Sequence, residues 1–186
     1  CCGLIQAAAV PVLIDAQIGP DPLARILEDS EATWLLSVSD RVERLPDRVH
    51  DRVRNIVLLD VVEDDSRSWK RYLPESPADW PETEADEMAV LFYTSGTSGA
   101  AKGVPLSHAN LVSNLQALRD LQILQPNDRV LLPLPLHHVY PFTIGMLLSL
   151  SSGVPVVLPR SLTGPQIVRA MVEARTTRML GVPRIY

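Results

Sequence analysis

The chain has 186 residues, 46% of them hydrophobic, which fits one domain or part of a larger one and excludes wholesale disorder. A net charge of −5 and a pI near 5.3 exclude the basic surface that nucleic-acid binding demands. The two cysteines, Cys1 and Cys2, are adjacent and terminal, which excludes a disulfide framework or a zinc site and makes a reducing cytoplasm the expected compartment.

The first residue is not Met, and residues 1–14 are already apolar, so the N-terminus reads as a cut end beyond which any targeting segment would lie. Residues 10–14 predict a short buried strand. Pro20, Asp21 and Pro22 open a helix that puts Leu23, Ile26 and Leu27 on one face. Residues 33–38 predict the next strand. Residues 40–54 carry the triplet Asp-Arg-Val at 40, 47 and 51; the irregular spacing and mixed charge predict a solvated connection. A strand over 55–60 follows. Residues 63–87, rich in Pro, Asp, Glu and Ser, predict loop with a short helix at 68–73 and a boundary near 85. That boundary divides the chain into portions 1–84 and 85–186.

Beyond it, residues 88–94 predict a strand, and Ser107 caps a helix with Leu111, Leu115 and Leu118 in one stripe. Strands over 129–134, 154–158 and 177–180 alternate with helices over 140–149 and 166–174. Strands separated by helical segments imply parallel pairing, hence an α/β fold of layered, parallel-rich sheets flanked by helices. Residues 142–158 are uncharged. Gly145, Gly153 and Pro155 interrupt them, however, and they fall short of the ~20 apolar residues of a membrane span. They read as a buried helix and then a buried strand.

The chemistry concentrates in residues 93–104, Tyr-Thr-Ser-Gly-Thr-Ser-Gly-Ala-Ala-Lys-Gly-Val. Gly96, Gly99 and Gly103 let backbone N–H groups approach an anion closely. The hydroxyls of Thr94, Ser95, Thr97 and Ser98 can donate to phosphate oxygens or ligate Mg²⁺, and Lys102 adds a point charge. A polyphosphate uses all of these together; a Gly/Ser turn in a hairpin is the plainer alternative. The spacing is not that of a Walker loop, because Gly103, and no hydroxyl residue, follows Lys102.

This stretch resembles the signature motif of the adenylate-forming superfamily, which includes acyl- and aryl-CoA synthetases, luciferases and nonribosomal-peptide adenylation domains. The pattern Tyr/Phe-Thr-Ser-Gly-Ser/Thr-Ser/Thr-Gly-x-Pro-Lys-Gly is matched except at Ala101, where proline is usual. Residues 107–111 and 134–140 are also similar to family segments, and 181–186 are similar to a segment of long-chain acyl-CoA synthetases. The resemblance implies part of the large N-terminal domain of an enzyme that joins ATP and a carboxylic acid, a fatty acid by the last segment, into an acyl-adenylate and then passes the acyl group to CoA. It implies that Ser95, Gly96, Thr97, Ser98, Gly99, Lys102 and Gly103 hold the phosphates, with Thr97 and Lys102 acting in catalysis. It implies Thr94 as a ligand to Mg²⁺ and His138 beside the carboxylate. Thr94 read by itself also fits a strand end, His138 a polar loop residue, and His108 a helix start.

A lipid substrate would imply peripheral membrane contact. No tyrosine is followed by glycine, so the family's Tyr-Gly-x-Thr-Glu motif is absent. With Lys70 and Lys102 the only lysines, the catalytic lysine of a C-terminal domain is absent too, so these residues alone are expected to be inactive. A nonribosomal-peptide-type adenylation domain and a non-catalytic nucleotide-binding module are the alternative functions.

Overall fold

The computed structural model describes residues 1–61, 65–73, 75–76, 79–95 and 101–183, with only the backbone at Ser95. They form two compact units, Cys1–Thr83 with Ala89–Pro105, and Glu84–Met88 with Leu106–Tyr186.

The first unit begins with α1 (Cys2–Gln6), β1 (Val12–Leu13) and α2 (Pro20–Asp29). Pro20 and Pro22 cost nothing in the first turn of α2, where backbone N–H groups lack helical partners anyway. The expected stripe of Leu23, Ile26 and Leu27 is buried. Next come β2 (Trp34–Ser37), α3 (Ser39–Val42), α4 (Asp47–His50) and β3 (Asn55–Leu58), with β2 and β3 paired in parallel from Trp34↔Asn55 to Ser37↔Leu58.

The solvated connection expected over 40–54 is a correction. It folds as α3 and α4, and the valine of each Asp-Arg-Val triplet is buried: Val42, Val49 and Val53. α3 and α4 are separate single turns and Val53 lies beyond α4, so it is tertiary packing and not one helical face that buries the three. Val49 and Val53 join Leu23 and Leu27 in one core, with Ile14, Leu35 and Ile56 packed around it. The polar members of the triplets face outward, where Arg48 pairs with Asp21 and Arg52 with Glu28, tying this segment to α2.

Residues Trp69–Tyr72 form a 3₁₀ turn that sets Tyr72 edge-on to Trp34, with ring centroids 5.4 Å apart. Two long strands then complete the unit's second sheet, β4 (Met88–Ser95) and β5 (Ala101–Ser107), in the order β1-β4-β5. The pairing of β4 with β1 is parallel, Val12↔Leu91 and Leu13↔Phe92. Five residues between β4 and β5 are far too few for a parallel crossover, so that pair is an antiparallel hairpin. β5 was not expected. The ladder of β4 to β1 joins it to the first unit.

In the second unit Ser107 caps α5 (His108–Asp120) as expected. Asn110 N–H donates to Ser107 Oγ (3.2 Å) and Ser107 N–H to Asn110 Oδ1 (3.1 Å), a reciprocal capping box. β6 (Val130–Leu131) lies between β7 (Val156–Val157) and β8 (Arg178–Met179), parallel to both. These ladders are shorter than the expected strands. Pro133, Pro135 and Pro155 lack the N–H that would extend them.

The helix expected over 140–149 is a π-helical segment, Pro141–Leu147, followed by α6 (Leu148–Ser151), with β7 next in the chain. Among the described residues no helix is long and apolar enough to cross a membrane. α7 (Gly164–Ala174) ends on Arg175 in the left-handed region (φ 50°).

Candidate functional site

β4 is the middle strand of its sheet, and its burial explains its sequence. Ala89, Val90 and Phe92 are sealed in the core, and Leu91 and Tyr93 are half-buried. The strand reaches the surface at both ends, with Met88 exposed at its start and Thr94 exposed at its carboxyl end. That end of a strand in an open sheet with parallel pairing is where ligands gather. Across the hairpin, β5 begins with Ala101, Lys102 and Gly103, all exposed. Thr94 and Lys102 make no side-chain hydrogen bond or ion pair among the described residues, so a hydroxyl and an ammonium stand open on the two stems of one hairpin. The Gly/Ser segment joins the two strands of this hairpin. Gly96, Thr97, Ser98 and Gly99, together with the Ser95 side chain, lie outside the described residues.

Gly103 is not demanded by packing. A Cβ there would lie 3.4 Å from Leu91 Cδ1 and 3.6 Å from both Asp29 Oδ2 and Tyr93 Cζ, ordinary contact distances. The phenol of Tyr93 donates to Asp29 Oδ2 at 2.6 Å. Burial of the ring, followed by that carboxylate, pushes the phenol up to about 12. The sequence reading missed Asp29. Its signal was a carboxylate in the last turn of a helix with no basic residue there, the end that a helix dipole makes unfavourable for an anion.

His138 belongs to the second unit. It sits in the turn after β6, where its N–H donates to Pro135 O (3.3 Å) and its carbonyl accepts from Phe142 N–H (3.1 Å). Its side chain is exposed, with its ring 4.2 Å from that of His137 at a 51° tilt. Tyr140 Oη, two residues on, lies 3.5 Å from Gly181 O. His108 starts α5, as its plainer reading had it. Among the described residues no group of three or more His, Cys, Asp or Glu side chains is placed to hold a metal.

A family model for AMP-binding enzymes matches residues 1–186. Feruloyl-CoA synthase of Amycolatopsis sp is 29% identical over 187 residues, which is 100% of this chain and 35% of the relative. Long-chain-fatty-acid–CoA ligase of Salmonella typhimurium is 34% identical over 112 residues, 57% of this chain and 20% of the relative. ATP-bound MatB from Rhodopseudomonas palustris superposes with a TM-score of 0.84 and 23% identity, over 98% of this chain and 36% of that one. O-succinylbenzoate CoA synthetase (MenE) from Bacillus subtilis, in complex with ATP and magnesium ion, gives a TM-score of 0.75 at 22% identity, over the same shares. The chain thus spans about a third of the length of the relative that it matches end to end. The α/β fold is the one those structures share, and with a match that runs over every residue the chain belongs to the AMP-binding enzyme family.

Proposed function

We propose that this chain supplies the phosphate-binding hairpin of an ATP-dependent acid–CoA ligase. That enzyme forms an acyl-adenylate with release of pyrophosphate and then transfers the acyl group to CoA. The observation that carries the reading is the family match over the whole chain, with exposed Thr94 and Lys102 at the stems of the hairpin that bears the signature. In the first step a carboxylate attacks the α-phosphorus of a highly charged nucleotide. Negative charge then moves onto the departing pyrophosphate, and oriented N–H groups and a cation are what lower that barrier.

Ser95, Gly96, Thr97, Ser98, Gly99 and Gly103 supply the donors, and Lys102 supplies the charge. Magnesium binds mainly through substrate phosphates plus one or two protein oxygens, and the exposed hydroxyl of Thr94 fits such a hard cation. Bound there, the ion would neutralise phosphate charge. His138, exposed on its turn, lines the carboxylate side. The acid is of the fatty class, in keeping with the resemblance of residues 181–186 and the similarity to a long-chain-fatty-acid–CoA ligase. The protein works in the cytoplasm, touching membranes only peripherally to collect its substrate, and the remaining contacts come from a C-terminal domain of the same enzyme.

The test uses the intact protein and separates the half-reactions. Thr97→Ala and Lys102→Ala should each slow carboxylate-dependent exchange of pyrophosphate into ATP by roughly 10²–10³, a barrier increase of about 2–4 kcal/mol. Thioester formation from preformed acyl-adenylate should change little. Equal loss in both steps would make the hairpin structural, and normal exchange would remove the phosphate assignment.

A further inference from the structure

Asp29 is out of place by the rules of its own helix. It closes α2 beside carbonyl groups whose partial negative charge repels a carboxylate, and Glu28 precedes it. Glu28 pairs with Arg52 at 3.3 Å. Asp29 has a different partner, the Tyr93 phenol at 2.6 Å, across 64 positions of sequence. A residue kept against local preference points to a role elsewhere in the fold. Tyr93 immediately precedes Thr94 on β4. The carboxylate and the phenol carbon Cζ each lie 3.6 Å from the position of a Cβ on Gly103, beside Lys102 on β5. One hydrogen-bonded pair therefore belongs to one stem of the hairpin and lies against the other. The pair's contacts are with the strands themselves.

We propose that Asp29 is a positioning residue, which through the Tyr93 phenol braces both stems of the β4–β5 hairpin and so sets Thr94 and Lys102 for the phosphates. The phosphate role rests on the function proposed above; the brace does not. The phenol remains protonated at any working pH, so the bond is a constant of the folded protein rather than a switch.

The experiment takes Asp29→Ala, Tyr93→Phe and the double variant in the intact protein, and measures amide hydrogen exchange beside pyrophosphate exchange. Loss of one net hydrogen bond should speed exchange at residues 94–95 and 101–104 by about three- to tenfold, leaving β6 unchanged. The double variant should match either single one, because both remove the same bond. The kcat of adenylation should fall about three- to tenfold while the KM for the carboxylate holds. Unchanged protection at 101–104, or a loss spread equally to β6, would overturn the brace. Loosened stems with full adenylation would overturn its positioning of the reaction. Loosened stems in a protein whose wild type exchanges no pyrophosphate would uphold the brace and sink the ligase reading instead.

Discussion

Single residues decide more here than their chemistry suggests, and glycine shows it from two sides. Gly145, in the π-helical segment, has Leu132 Cδ1 only 2.4 Å from where a Cβ would stand, with Leu180 Cδ2 at 3.0 Å. Alanine in a helix ordinarily gains about 1 kcal/mol over glycine. Leu132 is itself buried at 2% exposure and has little room to retreat, so overpacking costing about 1–3 kcal/mol outweighs that gain. Gly145→Ala should therefore lower the urea midpoint at constant m-value. Gly3, with nothing within 4 Å of its would-be Cβ, is the control; Gly3→Ala should leave the midpoint unchanged or raise it slightly. The need for glycine at 145 could not be read from the sequence, because the atoms that crowd it come from residues 13 positions before and 35 after. Lys102 and Thr94 were legible, since a strand that turns abruptly into Gly, Ser and Thr announces an exposed end.

At the scale of elements and their connections, three carboxylates, Asp60, Asp65 and Asp128, are held below the usual range. Asp60 takes both the hydroxyl (2.7 Å) and the N–H (2.9 Å) of Ser39, which hold its carboxyl below the usual range. Asp128, almost fully buried, accepts from the Thr177 hydroxyl at 2.6 Å, Gln125 N–H and Arg178, and is lowered for the same reason, the Thr177 bond first. The Arg67 side chain, then its N–H, brings Asp65 down to about 2. A carboxylate with a depressed folded-state pKa stabilises above its unfolded value, about 3.9, and loses that contribution as pH falls through the folded value. Stability should thus be flat above about pH 5 and fall between about pH 4 and 2. A urea-midpoint titration checks this: Asp128→Asn should lower the neutral-pH midpoint and flatten the acid limb, and an unaltered limb would show that the ties carry no linkage.

The types and order of the elements were largely legible, because apolar runs, prolines and a Ser-x-x-Asn cap are local signals. The burial of α3 and α4 was not. Valines in a charged stretch look like solvated filler until the fold sets Val49 and Val53 against Leu23 and Leu27.

At the scale of the molecule, the match to relatives about three times as long bears on activity. With Lys70 and Lys102 as its only lysines, the 186-residue chain holds the phosphate side of the proposed reaction alone. Produced by itself, it should show no carboxylate-dependent pyrophosphate exchange above a boiled control. Measurable exchange would mean that the described fold carries a complete catalytic set. What the sequence determined by itself was the family, because its signature motif is contiguous and is read from residue types alone. Tertiary structure alone decided which sheet holds the motif's strand, that β5 answers β4 in a hairpin, that Val49 and Val53 join Leu23 and Leu27 in a core, and that Asp29 meets Tyr93. Each of those depends on atoms brought together across tens of residues, and the free energy of such contacts is set by packing and burial that no local pattern encodes.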